Sequence, residues 1–177
     1  MENTANLEML PEEVLKEIYL LEDQAKRLEM REQAQERFMP YAHHVYDNFI
    51  EGTHHRVIAE KLEKIANGEL KRLIVNMPPR HSKSEFASYL MPSWFLGRNP
   101  KLKIIQATMN TELAVRFGRK VRDLIADPKY AEVFPDTDLK PDSQAAGRWE
   151  TSAGGEYFAA GVGAAMTGRG ADLLIIE

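Results

Sequence analysis

A lysine followed by a hydroxyl residue at the opening of a helix can hold phosphate. Residues 78–84, Pro78-Pro79-Arg80-His81-Ser82-Lys83-Ser84, end in such a pair. The run Leu73-Ile74-Val75 before them reads as a strand, and a helix is expected from near Ser84 to about Met91. Backbone N–H groups at a helix N-terminus face phosphate oxygens, and the helix dipole favours the anion. Lys83 then reaches the β- and γ-phosphates, and the Ser84 hydroxyl ligates Mg2+. The strict pattern G-x-x-x-x-G-K-[ST] is not met, because Met77 and Ser82 stand at its two glycine positions. A chance Lys-Ser at a helix start is the alternative reading.

Such a site needs an acid at the end of a later apolar strand, holding the metal directly or through water. Leu173-Leu174-Ile175-Ile176 followed by Glu177 has that form. A buried strand followed by an acid is common. The two features together, in this order and roughly ninety residues apart, point to a nucleotide site.

The elements that must position these residues follow from periodicity. Pro11 opens a helical stretch in which Val14, Ile18, Leu21, Ala25 and Leu28 recur at helical spacing to about Arg37. This is an amphipathic arm that packs on the body or on a partner, and Pro40 is expected to end it. Val57, Ile58, Leu62 and Ile65 mark a helix over 55–67, stopped by Gly68. Pro92 is expected to interrupt the helix that follows the loop. Lys103–Thr108 reads as a strand, and Asn110 or Thr111 caps a helix to about Ala126, stopped by Asp127-Pro128. Residues 148–151 and 156–160 read as a hairpin around Gly154-Gly155, and 161–170 as a glycine-rich loop before the strand at 173–176. Strands alternating with helices predict an α/β fold with a largely parallel sheet.

Composition and charge bound the alternatives. The chain has 177 residues, 44% hydrophobic and 28% charged, enough for one domain with a sizeable core. No apolar run approaches the ~18 residues of a membrane span. The N-terminus lacks the basic-then-apolar pattern of a secretory signal. Cys is absent, which excludes disulfides, thiolate zinc sites and cysteine nucleophiles. The net charge of -4 hides a basic block: residues 53–122 carry fourteen Lys and Arg against five acids, between two acidic segments. Such a block binds phosphate or polynucleotide, or is a solvated surface whose charges mix in three dimensions. Arg116, Arg119, Lys120 and Arg122 on one helix carry the same two readings, DNA or neighbouring subunit against solvent. The adjacent pairs His43-His44 and His54-His55 diverge on a helix and have no further Cys/His set to make a zinc site.

Residues 54–177 resemble the N-terminal ATPase domain of tailed-phage terminase large subunits, the motors that package viral DNA. The matching segments are HHRVIAEKLEKIANGELKRLIVNMPPRHSKSE, PSWFLGRNPKLKIIQAT, ELAVRFGRKVRDL and TGRGADLLIIE, in family order and with family-like spacing. The family tolerates a phosphate loop without its first glycine. Ser82 departs from the usual glycine before the lysine and adds a Cβ where backbone approaches phosphate.

The resemblance implies a P-loop NTPase core of the ASCE type, with residues 1–37 as a helical arm and 38–177 as a partial ATPase domain. It implies ATP and Mg2+ as cofactors, held by Pro79, Arg80, His81, Ser82, Lys83 and Ser84. Lys83 contacts the β/γ-phosphates, Arg80 approaches the γ-phosphate and helps couple hydrolysis to movement, and Ser84 and Glu177 hold the metal. Family members usually carry aspartate at the position of Glu177. Arg169, in the Gly168-Arg169-Gly170 turn, faces phosphate or DNA, or belongs to a simple tight turn. Upstream aromatics or His55 flank the adenine only as an open option. The implied partners are double-stranded DNA, the portal protein, the terminase small subunit and further copies of the chain in a ring. The implied location is the host cytoplasm, on the procapsid.

In this ATPase class the strand after the metal-binding acid inserts between the P-loop strand and the strand bearing that acid. The sequence is therefore expected to lack a central strand, the catalytic glutamate, the coupling segment and the nuclease domain. The sheet is expected to be incomplete, and the chain a weak ATPase prone to aggregate. Other readings are a non-catalytic nucleotide- or DNA-binding interaction module, and a helicase-like translocase with the same core.

Overall fold

The structure, a computed structural model, describes residues 10–164 and 168–177. Helix α1 spans Glu12–Glu36, with Glu12 and Glu13 in the first turn where the helix dipole favours acids. It ends at Arg37, whose backbone is extended (φ −120°, ψ 135°). Pro40 does not end it. Pro40 lies in the first turn of α2 (Phe38–Val45), where a missing N–H leaves no helical bond unmade. Only Ala34 of α1 is buried, while Tyr19, Leu20, Leu21 and Leu28 are more than half exposed. The described arm thus packs at its C-terminal end and projects from the body.

Helix α3 (Thr53–Ala66) is stopped by Gly68 at φ +75°, a backbone angle glycine adopts without strain. A continuous helix then runs from Lys83 to Arg98. Its middle, Glu85–Leu90, is π-helical, and its last part is α4 (Met91–Arg98). Pro92 was expected to break this helix. Its ring cannot donate to the carbonyl four residues back and crowds it. Widening the preceding turn, seen in the Met91 N–H bond to the Phe86 carbonyl, carries the chain past the proline without a break.

The sheet contains β1 (Lys103–Thr108), β2 (Leu139–Ala145), β3 (Arg148–Thr151), β4 (Glu156–Gly161) and β5 (Leu173–Ile176), in the order β2-β3-β4-β1-β5. β1 pairs parallel with β4 and with β5, whereas β2-β3 and β3-β4 are antiparallel. The sheet is α/β in context but mixed, not largely parallel. The short Ala146-Gly147 connection between β2 and β3 can only reverse the chain, and parallel pairing needs a crossover. β2 and helix α6 (Pro128–Val133) escaped the sequence reading. β2 is a polar edge strand containing Pro141. Asp127-Pro128, read as a stop after α5 (Thr111–Ile125), also starts α6, because the Asp127 carboxylate caps the Lys129 N–H.

The core lies between the helices and one face of the sheet. Phe38, Tyr41, Phe86, Trp94 and Tyr130 are all fully buried, each contributing about 1.5–3 kcal/mol by apolar burial. Their polar atoms are satisfied within it. Trp94 Nε1–H donates to the Ala34 carbonyl at 2.9 Å, and Tyr130 OH to the Ser93 carbonyl at 2.9 Å. Tyr41 OH meets Ser93 Oγ at 2.6 Å. On the sheet side, Trp149 and Tyr157 stack with planes 3° apart, and Trp149 Nε1–H donates to the Gly118 carbonyl of α5.

Gly118 is where α5 touches the β2–β3 connection. A Cβ there would overlap the Ala146 carbonyl oxygen and stand 3.1 Å from the Tyr157 ring. Alanine is favoured over glycine in a helix by about 1 kcal/mol. The backbone clash outweighs that gain, so Gly118→Ala is expected to destabilise the chain by about 1–3 kcal/mol, read as a lowered midpoint in urea unfolding.

Candidate functional site

The strand expected at 73–77 does not form as one in the structure. Leu73, Val75 and Met77 are half-buried, while Arg72, Ile74 and Asn76 are exposed, the alternation of a strand. No described strand forms a ladder with it. Across from it, β5 offers its free edge, since β1 occupies the other. A groove of about 990 Å³ is lined by Leu73 and Val75, by Leu173 and Ile175 of β5, and by Met91 and Phe95.

The chain leaves residues 73–77 through Pro78 and Pro79 and turns into the helix at Lys83. Arg80 (φ 64°) and Ser82 (φ 62°) both adopt the left-handed conformation, which costs an L-residue about 1 kcal/mol each. Glycine at either position would adopt this conformation without strain. The Phe86 N–H closes the first turn onto the Ser82 carbonyl at 2.9 Å, and His81 Nδ1–H donates to the Pro79 carbonyl at 2.9 Å. The first N–H groups of the helix have no acceptor within it and point out of its end.

Glu177 continues the β5 ladder, its N–H donating to the Ala107 carbonyl at 2.9 Å. Its carboxylate lies against the loop helix. One oxygen accepts a hydrogen bond from Ser84 and the other from Ser88. The structure thus brings Ser84 and Glu177 together. Ser88 was missed. The signal available was its spacing, four residues after Ser84 and so on the same helix face. Lys83 is half-buried at the helix start and Arg80 is exposed, and neither makes an ion pair among the described residues.

Other candidates are committed elsewhere. Lys120 binds the Glu85 carboxylate at 2.9 and 3.0 Å and lies 4.4 Å from the Tyr89 ring centre. Burial, reinforced by Glu85, pushes the Tyr89 hydroxyl up to about 12. Arg122 pairs with Asp123 and donates to the Gln144 carbonyl. Arg116 and Arg119 remain exposed on α5. Arg169 pairs with Glu156 at 2.9 Å and stacks 4.2 Å over Phe158.

The His54 ring lies 5.7 Å from the ring of His81 in the loop, whereas His44 pairs with Glu132 on α6, and no group of three or more His, Cys, Asp or Glu suited to a metal occurs among the described residues. His55 Nδ1 accepts the Gly52 N–H at 2.8 Å, which requires that nitrogen to be unprotonated. Its other nitrogen meets His54 Nε2 at 3.1 Å, and its ring stacks on Phe86. Burial, with His54 and His81 nearby, pushes the His55 imidazole below its ordinary pKa, while Glu51 opposes that shift.

A serine hydroxyl and a carboxylate in contact are hard oxygen donors. Mg2+ takes few protein ligands and fills its octahedron with water and phosphate oxygens. Ser84 and Glu177 therefore fit Mg2+ held jointly with a polyphosphate, and do not fit a self-sufficient protein metal site. The Lys83 ammonium and the first-turn N–H groups suit the phosphate oxygens.

Compared with known proteins, the chain matches no family model, no curated protein and no solved structure.

Two outcomes test this geometry. Ser82→Gly is expected to be tolerated, whereas the β-branched Ser82→Val is expected to be less stable than Ser82→Gly by about 1–2 kcal/mol in urea unfolding, because φ 62° suits only the former. For His55 the folded-state pKa is depressed, so the unfolded chain binds the proton more readily. Stability should be full above about pH 6.5 and fall as pH drops below it. His55→Phe, which keeps the ring against Phe86, should reduce that acid dependence in pH-resolved melts.

Proposed function

We propose that this chain is the ATP-binding segment of a DNA-packaging motor of the terminase large-subunit type, with a P-loop NTPase core. The observation that carries the reading is the contact of Ser84 and Glu177. Two residues chosen from sequence as hydroxyl and acid of one site, 93 positions apart, meet at the start of the helix that carries Lys83. The left-handed backbone at Arg80 and Ser82, immediately before that helix, supports it further, being the conformation that glycine serves.

In this reading Lys83 and the first-turn N–H groups bind the β- and γ-phosphates, and Arg80 reaches the γ-phosphate from the loop. Ser84 and Glu177 hold Mg2+, which supplies charge neutralisation of the phosphate oxygens. Fixed donors of this kind act on charge as it develops during attack by water. An extended segment inserted in the groove would pair with β5 on one side and with residues 72–76 on the other. The partners in this reading are double-stranded DNA, the portal protein, the terminase small subunit and neighbouring copies in a ring, in the host cytoplasm. Arg116 and Arg119 are the exposed cations of α5 open to DNA or to a neighbour.

A second reading, a non-catalytic nucleotide-binding interaction module, draws support from the same groove and the free β5 edge, which suit strand addition.

Loss of one charge-assisted phosphate contact is worth about 1.5–3 kcal/mol. Lys83→Ala is therefore expected to weaken ATP–Mg2+ binding by about 10- to 100-fold in equilibrium dialysis. Unchanged binding removes the site assignment. Binding without turnover, in the chain joined to a segment that fills the groove, selects the interaction module.

A further inference from the structure

Glu177 is anchored twice, and the second anchor was not expected. Ser88 is 1% exposed and sits on the π-helical segment, one turn beyond Ser84. Its hydroxyl donates to Glu177 Oε2, while Ser84 donates to Oε1. The two oxygens of one carboxylate are thus assigned to two different hydroxyls of one helix.

We propose that Ser88 is a positioning residue that holds the Glu177 carboxylate toward the Mg2+ site. The proposal rests on the nucleotide reading above and concerns its metal. A glutamate has three side-chain torsions, and fixing them costs about 1.5–2 kcal/mol. Glu177 stands at the end of an edge strand beside an open groove, so its strand alone does not fix its head. Ser84 alone would be a poor anchor, because in this reading its oxygen would also serve the cation. Ser88 has no such second duty. Buried on a helix whose far end is locked by Trp94 and Ser93, it keeps Oε2 in place and leaves Oε1 beside Ser84. Partners that orient a metal-binding group this way are typically worth tenfold or more in metal affinity.

The test measures Mn2+ binding in the presence of ADP by electron paramagnetic resonance, and ADP binding in EDTA by equilibrium dialysis. Ser88→Ala is expected to weaken Mn2+ binding about tenfold while leaving ADP binding in EDTA unchanged. Ser88→Thr, which keeps the hydroxyl, should restore most of the loss. Adding Glu177→Gln to Ser88→Ala should cost less than the sum of the two, since both act through one carboxylate. A hydroxyl that merely fills the core would shift the unfolding midpoint without moving the Mn2+ constant. That result, with Glu177→Gln still impairing Mn2+ binding, overturns the role of Ser88 and leaves the nucleotide site standing. If Lys83→Ala and Glu177→Gln also leave Mn2+–ADP binding at the parent value, both the site and the proposal fall.

Discussion

The helix from Lys83 to Arg98 is built under one constraint, and the rest of the structure is arranged around it. Its last two turns must be buried among aromatics, and its first turn must keep free donors at the surface. Ser93 and Trp94 satisfy the first demand. Tyr41 and Tyr130 reach the Ser93 hydroxyl and carbonyl, and Trp94 reaches back to α1. All four side chains are fully buried, and leaving any of those polar groups unpaired would cost about 1–3 kcal/mol. Translation of the helix along its axis would break all three bonds at once. The position of Lys83 and Ser84 relative to the sheet is therefore set from the opposite end of the helix, through rigid packing rather than by the loop itself.

Glu177 shows how the sheet meets this helix. β5 supplies the main-chain direction through its parallel pairing with β1, and the side chain supplies the hydrogen bonds. Next to it lies the groove, where residues 72–76 keep strand alternation with no ladder. Leu174 and Ile176 are more than half exposed on β5, as is Ile74 across the groove. Unsatisfied strand edges with apolar residues beside them attract further strands, so this margin is where the fold is most open to addition or to aggregation.

Much of this was legible from residue order. The meeting of Ser84 with Glu177 was readable because each stands at the end of a periodic segment. The capping side chain of Asn110 and the hairpin glycines around Gly154 placed α5, β3 and β4 in the same way. Most of what failed depended on distant partners. A run such as Leu73-Ile74-Val75 has strand chemistry, yet pairing is a property of what lies beside it. β2 has a polar, proline-containing sequence, and only the β3 edge makes it a strand. Pro92 announced a break, but the relaxed turn before it absorbed the proline. Arg169 and Lys120 looked free because acids far away in sequence, Glu156 and Glu85, are invisible to local reading. Ser88 has no local signature beyond its spacing.

The attachment of α1 gives the molecule mechanical leverage. Among the described residues, α1 is held near Ala34, by the Trp94 indole and by Gln35 reaching the Val133 carbonyl at 2.6 Å. From Ala34 back to Glu12 the helix extends about 33 Å at 1.5 Å per residue. A tilt of about 10° at that anchor sweeps the far end through about 6 Å. Trp94 and Lys83 lie on one helix, so the anchor of the arm and the start of that helix belong to one rigid element. The arm is in effect a pointer fastened at one end, at the indole of Trp94 and the carbonyl of Val133.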